Sequence, residues 1–277
     1  MSFDQLGLSQ PLLDALLELG FEQPTPIQEE AIPFLLQGER DLVGLAQTGT
    51  GKTAAFGLPL IDKLDAQSTI PNALVLAPTR ELCLQISKEL NLFAQFRPLI
   101  NITSVYGGAD IRAQIRALKN GSQLVVATPG RLRDLIRRKA IKLEAIKMVV
   151  LDEADEMLNM GFKEEIDEIL EQVPEERRTW LFSATMPPSV ARLAKNYMHE
   201  PHQIKVGNTN ETNQDINHQF ILARPRERQE ILRRYLDTDA DVYALVFCRT
   251  RAETLTIADE LQKDGYAADV LNGDLSQ

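Results

Sequence analysis

LVGLAQTGTGKT, residues 42–53, decides the fold. Four apolar residues of strand character run into a glycine-rich turn, and Lys52 and Thr53 open the amphipathic pattern of a helix. In the loop Ala46, Gln47, Thr48, Gly49, Thr50 and Gly51, the glycines let backbone amides curl around phosphate oxygens. The following helix turns its positive end towards them, Lys52 reaches the β- and γ-phosphates, and Thr53 offers a hydroxyl to Mg²⁺. The general pattern asks for glycine where Ala46 stands.

Five more polar signatures each follow a short apolar run: PTREL (78–82) after ALVLA, YGG (106–108) after ITSV, TPGR (128–131) after LVVA, DEAD (152–155) after MVVL, and SAT (183–185) after TWLF. Open α/β sheets bind ligands beyond the carboxyl ends of their strands, so six such coincidences mark one functional edge. Strands are expected near 42–46, 73–77, 102–106, 124–127, 147–151, 179–182 and 203–206, with helices at 10–19, 26–37, 52–64, 80–94, 110–119, 131–138, 162–171 and 188–198. That alternation predicts the α/β class: a doubly wound parallel sheet covered on both faces. The polar, aperiodic stretch 208–216 reads as a linker. A second α/β pattern follows in 217–277, with strand-like NHQFIL (217–222), VYALVF (242–247) and AADVL (267–271) between helical segments near 226–235 and 252–263.

The chain has 277 residues, 44% hydrophobic and 25% charged, the ordinary balance of a globular protein. Cys83 and Cys248 lie far apart with no metal-type spacing, which excludes a disulfide framework and fits a reducing cytoplasm. The N-terminus lacks a basic leader, and no run is apolar for long enough to span a bilayer. His199 and His202 flank Pro201 without a third ligand, and Trp180 sits inside a strand-like run where packing accounts for it.

A net charge of −10 argues against nucleic acid at first. Its distribution reverses that impression: residues 112–147 carry ten Lys or Arg against Asp134 and Glu144, whereas 152–176 carry eleven acids against Lys163. Isolated charge runs are ordinarily solvated helix faces, but the basic block contains TPGR, so Arg133, Arg137 and Arg138 are expected to meet a polyanion. In MVVLDEAD the strand projects Asp152 towards the phosphate loop as the Mg²⁺ holder. Glu153 beside it can polarise a water for in-line attack on a γ-phosphate.

Together the signatures resemble those of DEAD-box ATP-dependent RNA helicases of superfamily 2, in their bacterial type. That family keeps alanine at the position of Ala46, and GFEQPTPIQ (20–28) matches its adenine-reading segment. The resemblance implies that Gln28 pairs with the adenine edge, that Phe21 stacks on the ring and that Phe3 is the isolated upstream aromatic. It implies ATP and Mg²⁺ as cofactors and RNA backbone contacts from Pro78, Thr79, Arg80, Gly107, Gly108, Thr128, Gly130 and Arg131. Arginines that fork onto phosphates carry no base information, so the contacts would be largely sequence-independent. Ser183 and Thr185 would couple the state of the nucleotide to strand separation.

The domains then read as 1–207, a RecA-like ATP-binding domain whose segment 1–28 carries the adenine reader, and 217–277, an incomplete second RecA-like domain. Phe247 and Cys248 in VFCRT stand where that second domain begins its motifs, and NGDLSQ (272–277) where later ones would follow. Without those, and without an arginine finger, the chain reads as a fragment expected to bind ATP and RNA weakly and hydrolyse poorly. Two rivals stay open: a superfamily 2 DNA translocase, and a non-enzymatic ATP- or RNA-binding fragment. Ribosomal or decay-machinery proteins are open as further partners; the membrane is not.

Overall fold

The central apolar runs of the first 207 residues become strands buried on both faces, while the edge strands at 102–105 and 202–205 stay partly open. In the computed structural model, which describes residues 1–38, 40–207, 216–238 and 242–273, the strands are β1 (Leu42–Leu45), β2 (Ala73–Leu76), β3 (Ile102–Val105), β4 (Leu124–Ala127), β5 (Met148–Leu151), β6 (Arg178–Ser183) and β7 (His202–Lys205). They pair in parallel in the order β3-β4-β2-β5-β6-β1-β7. Alternate residues point to opposite faces. Ala73, Val75, Val126, Val150 and Phe182 join one core, while Leu74, Leu76, Val125, Val149 and Leu181 join the other.

Helices α1 (Gln10–Glu18), α2 (Pro26–Gln37), α3 (Lys52–Asp62) and α4 (Arg80–Phe93) cover the first face. The second is covered by α5 (Ile111–Lys119), α6 (Pro129–Arg137), α7 (Ala154–Asn159), α8 (Lys163–Leu170) and α9 (Pro188–Tyr197). The short α7, directly after the acids, is an addition to the helices expected from periodicity. Leu74 and Val150 are fully buried; truncating either to Ala would cost about 2–4 kcal/mol in lost transfer energy and cavity. This is the doubly wound parallel sheet, of RecA-like type, that the alternation predicted. Trp180 is core, as expected, and burial pushes the Cys83 thiol up to about 12, so it is inert packing.

The strands end on two levels. Val105 pairs with Ala127, and Ala127 and Leu151 with Leu76, so β3, β4, β2 and β5 end together; Leu151 also pairs with Leu181, so β6 runs two residues further, to Ser183, which pairs with Leu45 of β1. The ladder continues one residue further through Thr128 N–H to Val105 O, Asp152 N–H to Leu76 O and Ala46 N–H to Ser183 O. At the opposite end, buried Asp41 clamps three segments: one carboxylate oxygen accepts from Thr179 N–H at 2.8 Å, the other from His199 N–H at 2.7 Å, and its carbonyl from His202 N–H at 2.8 Å.

The chain divides into two units, Met1–Glu211 and Thr212–Gln277. The second holds α10 (Arg228–Leu236) and α11 (Arg251–Lys263), near the two expected helices. Its three expected strands do not form: among the described residues 217–222, 242–247 and 267–271 have no ladder, and Phe220, Leu222, Tyr243 and Phe247 are exposed. A β-prone run becomes a strand only when neighbours take its amides and carbonyls and cover its side chains, and no described residue of this unit does so. The expected linker lies, except for Ile216, outside the described residues, as do the last four residues of NGDLSQ.

Replacing Asp41 with Ala leaves two buried backbone amides without their charged acceptor. We expect a loss of about 3 kcal/mol in unfolding free energy, with Asp41→Asn intermediate, read from urea titration.

Candidate functional site

Strands that all run in one direction turn sheet order into site order. Across the carboxyl edge the signatures run YGG, TPGR, PTREL, DEAD, SAT and the phosphate loop, after β3, β4, β2, β5, β6 and β1. The expected nucleotide residues thus share one half of the edge and the expected RNA residues the other, meeting where β2 pairs with β5. SAT falls inside the nucleotide half, between DEAD and the phosphate loop, rather than between the two sets.

In the phosphate loop, Gly49 (φ +78°) and Gly51 (φ +89°) occupy the left-handed region that side chains avoid. A Cβ on Gly51 would stand 2.3 Å from Gln28 Nε2, so no other residue fits there. The loop is tied from the adenine-reading segment: Gln28 Nε2 donates to Gly51 O at 3.0 Å, and Thr25 Oγ1 to Thr50 O at 2.8 Å. Gln28 Oε1 accepts from Thr25 N–H at 2.9 Å, closing a capping box at the start of α2. Gln28 is therefore buried, with both amide atoms engaged. Thr25 is a loop-holding residue the motif reading passed over, although its Thr-x-x-Gln spacing was a legible signal. Phe21 is 37% exposed, packs edge-on to Phe3 and Phe93 at 6.0 and 5.9 Å, and lines a shallow depression with Leu19, Gly20, Glu22 and Gln23.

Lys52 is buried at the start of α3, and its Nζ donates to Ala46 O at 3.0 Å, folding back across the loop. Thr53 follows in the first turn. Asp152 ends β5; burial pushes its carboxyl up to about 7, against the lowering effect of Lys52. Glu153 has φ +51°, the left-handed region for a non-glycine residue, at the entry to α7. Such strain gathers at functional turns. Burial also raises the Glu153 carboxyl, opposed by Lys52 and reinforced by Asp155 and Glu156.

The fourth residue of DEAD ties the acids to SAT. Asp155 Oδ2 accepts from Thr185 Oγ1 at 2.6 Å and Thr185 N–H at 3.0 Å, while Asp155 N–H donates to Ser183 Oγ at 3.3 Å. Burial alone would raise the Asp155 carboxyl, but these bonds outweigh it and hold it below the ordinary value. Sequence gave Asp155 no role, because its partners lie 28 and 30 residues away.

On the other half, Thr79 caps α4 by accepting from Leu82 N–H, and the Arg80 guanidinium lies 5.2 Å from the centre of the Tyr106 ring. Gly107 and Gly108 follow Tyr106; Thr128 starts α6, with Pro129, Gly130 and Arg131 in its first turn. Arg131 points to protein acceptors, Ala109 O and Gln114 Oε1. The basic block departs from expectation. Arg133 pairs with Glu165 at 2.8 Å and Glu168 at 3.5 Å, Arg137 with Glu168 at 2.9 Å and Arg138 with Asp134 at 2.7 Å. Arg133 and Arg137 thus pair with the acidic block where α6 packs on α8, and Arg138 pairs within α6, so these three arginines do not stand as an unpaired basic surface.

A family model described as DEAD/DEAH box helicase matches residues 25–193. ATP-dependent RNA helicase DeaD of Klebsiella pneumoniae is 44% identical over 276 residues, covering 100% of this chain and 43% of that protein. DEAD-box ATP-dependent RNA helicase CshA of Geobacillus kaustophilus (strain HTA426) is 47% identical, covering 100% and 59%. A solved DEAD box protein from the hyperthermophile Methanococcus jannaschii is 41% identical with a TM-score of 0.70, covering 100% of this chain and 74% of that one. The chain spans about half the length of the first two relatives.

The raised carboxyl of Asp152 has a consequence for the protein free of metal and nucleotide. Its folded value of about 7 exceeds the ordinary 3.8, so ionisation opposes folding. That cost is absent below about pH 4, grows as pH rises and is complete above about pH 7. Asp152→Asn should match the parent's stability at pH 4 and exceed it at pH 8 by on the order of 2 kcal/mol, read from urea melts at both pH values.

Proposed function

Because this chain belongs to the DEAD/DEAH box helicase family, we propose that it is the ATP-binding part of an RNA helicase that couples ATP binding and hydrolysis to local opening of RNA duplexes. The carrying observation is the strand order at the shared carboxyl edge of the parallel sheet, which brings the phosphate loop, the acids and SAT together on one half and the backbone-contact signatures together on the other. Residues 1–207 form the RecA-like ATP-binding domain, 1–28 its adenine-reading segment, 208–216 the linker, and 217–277 part of the second RecA-like domain. Phe21 and Gln28 receive the adenine. Ala46, Gln47, Thr48, Gly49, Thr50 and Gly51 turn their amides to the phosphates, and Lys52 exchanges its bond to Ala46 O for phosphate oxygens.

Asp152 and Thr53 fit Mg²⁺: among the described residues no group of three acids, histidines or cysteines stands ready for a metal, and a cation entering with phosphates needs only one or two protein oxygens. Bound there, Mg²⁺ supplies neutralisation of phosphate charge. Glu153 holds and polarises the attacking water, and Ser183 and Thr185 relay the nucleotide state through Asp155. Pro78, Thr79, Arg80, Gly107, Gly108, Thr128, Gly130 and Arg131 form the RNA edge. These residues by themselves bind ATP and RNA weakly and hydrolyse slowly, since Lys52 must first leave Ala46 O and Asp152 must ionise in a buried site. A cytoplasmic setting, with ribosomal or RNA-decay proteins as company, belongs to the same reading.

The test uses the protein extended to the length of its relatives. Lys52→Ala should abolish nucleotide binding, whereas Glu153→Gln should leave binding intact and slow hydrolysis by about 10² or more, the share of a positioned base. RNA, but not DNA of the same sequence, should stimulate hydrolysis. Equal stimulation by both would indicate a DNA translocase, and no hydrolysis with Lys52 and Glu153 intact would leave a non-enzymatic binding module.

A further inference from the structure

Gln114, in the middle of α5, belongs to none of the six signatures, yet it is 7% exposed and both ends of its side chain are used. Its Nε2 donates to Tyr106 O at 3.1 Å and its Oε1 accepts from Arg131 Nη1 at 2.8 Å. Arg131 also donates twice to Ala109 O, through Nη1 and Nη2, both at 3.2 Å. A guanidinium has five N–H donors in a fixed fork; three of them go to these protein oxygens, which leaves the edge formed by Nε–H and the second Nη2–H for a ligand. The Tyr106 carbonyl held by Gln114 carries a ring that lies 5.2 Å from the Arg80 guanidinium, a distance at which the two attract.

We propose that Gln114 is a positioning residue of the RNA edge: it ties Arg131 to the 106–109 loop as a strut, so that the YGG and TPGR signatures and the Arg80 guanidinium are presented as one rigid unit. Arg131 then serves the loop with three of its donors and presents its remaining edge in a fixed direction, beside the Thr128 hydroxyl and the amides of the first turn of α6. The geometry supports this in three ways. The strands β3 and β4 are paired up to Val105 and Ala127, so both signatures start side by side. The loop between Tyr106 and Asp110 has no other side chain of α5 holding its carbonyls among the bonds of that helix. A buried amide that satisfies one acceptor and one donor at once fixes both partners, and losing it strands both.

The proposal rests on reading this edge as the RNA face, and its test separates the two. Binding of a fluorescein-labelled oligouridine 12-mer is measured on the 277-residue chain with Gln114→Met, Arg131→Met and the pair. Each single change should weaken binding about tenfold, the loss of one charge-assisted hydrogen bond, and the pair should be no weaker than the worse single. Losses that multiply, or an unaffected Gln114→Met, overturn the proposal. Should Gln114→Met not fold, Gln114→Ala is read in the same way. Amide exchange gives an independent readout: peptides spanning 105–112 should exchange several-fold faster in the Gln114 variant while 46–53 is unchanged, and unaltered exchange in 105–112 also overturns it. If the chain does not bind the oligouridine but exchange responds as stated, the strut stands, and the RNA reading falls when the protein extended to the length of its relatives does not bind it either.

Discussion

The parallel ladder, covered on both faces, is the constraint from which the rest of the protein follows. A strand buried on both sides has no place for a polar side chain, so β1, β2, β4 and β5 are four apolar residues each, fully buried. Polar chemistry is therefore expelled to the strand ends. Because every strand runs parallel, the expelled groups do not scatter; they stand along one edge in two steps, those of β6 and β1 two residues beyond those of β3, β4, β2 and β5. Asp41 holds the opposite end of β1 and β6 at the same level, which keeps the phosphate loop and SAT abreast.

Strand order then divides the labour. The sheet runs outward in both directions from the β2–β5 pair, so the loops after β1, β5 and β6 gather on one half of the edge and those after β2, β3 and β4 on the other. Ties across each half are short and polar: Gln28 and Thr25 to the phosphate loop, Asp155 to Thr185 and Ser183, Gln114 to Tyr106 and Arg131. Each joins signatures that are adjacent in space and distant in sequence, which is how a change at one loop can be felt at the next.

Much of this was legible. Short runs of strand character that end at polar signatures marked β1 to β6, and amphipathic periodicity marked most helices of the first unit, since burial and end-chemistry are both local in sequence. The cross-ties were not, because a hydrogen bond such as Thr185 to Asp155 has no local signature. The charge blocks were misleading for a related reason. Arg133 and Arg137 are four apart and Glu165 and Glu168 three apart, so each pair lies along one helix face; that complementarity, rather than the local excess of positive charge, was the informative pattern. The second unit failed differently: VYALVF has the composition of a strand, but strand formation needs partners that composition does not supply.

Pairing of the charge blocks changes what the RNA edge can be. With Arg133, Arg137 and Arg138 paired with Glu165, Glu168 and Asp134, and Arg131 tied to Ala109 and Gln114, attraction for a polyanion at this edge rests less on those four side chains and more on backbone amides and the helix end at Thr128. Such a surface recognises the spacing of a sugar–phosphate backbone more than its total charge, since oriented amides contribute only over a short range. The nucleotide half follows the opposite rule. Lys52 and Asp152 share one buried site, where the cation lowers the carboxyl that burial raises, and both await partners of opposite sign. The two halves of one edge thus differ in physical kind, shape on one side and buried charge on the other, and their only common element is the paired backbone of β2 and β5.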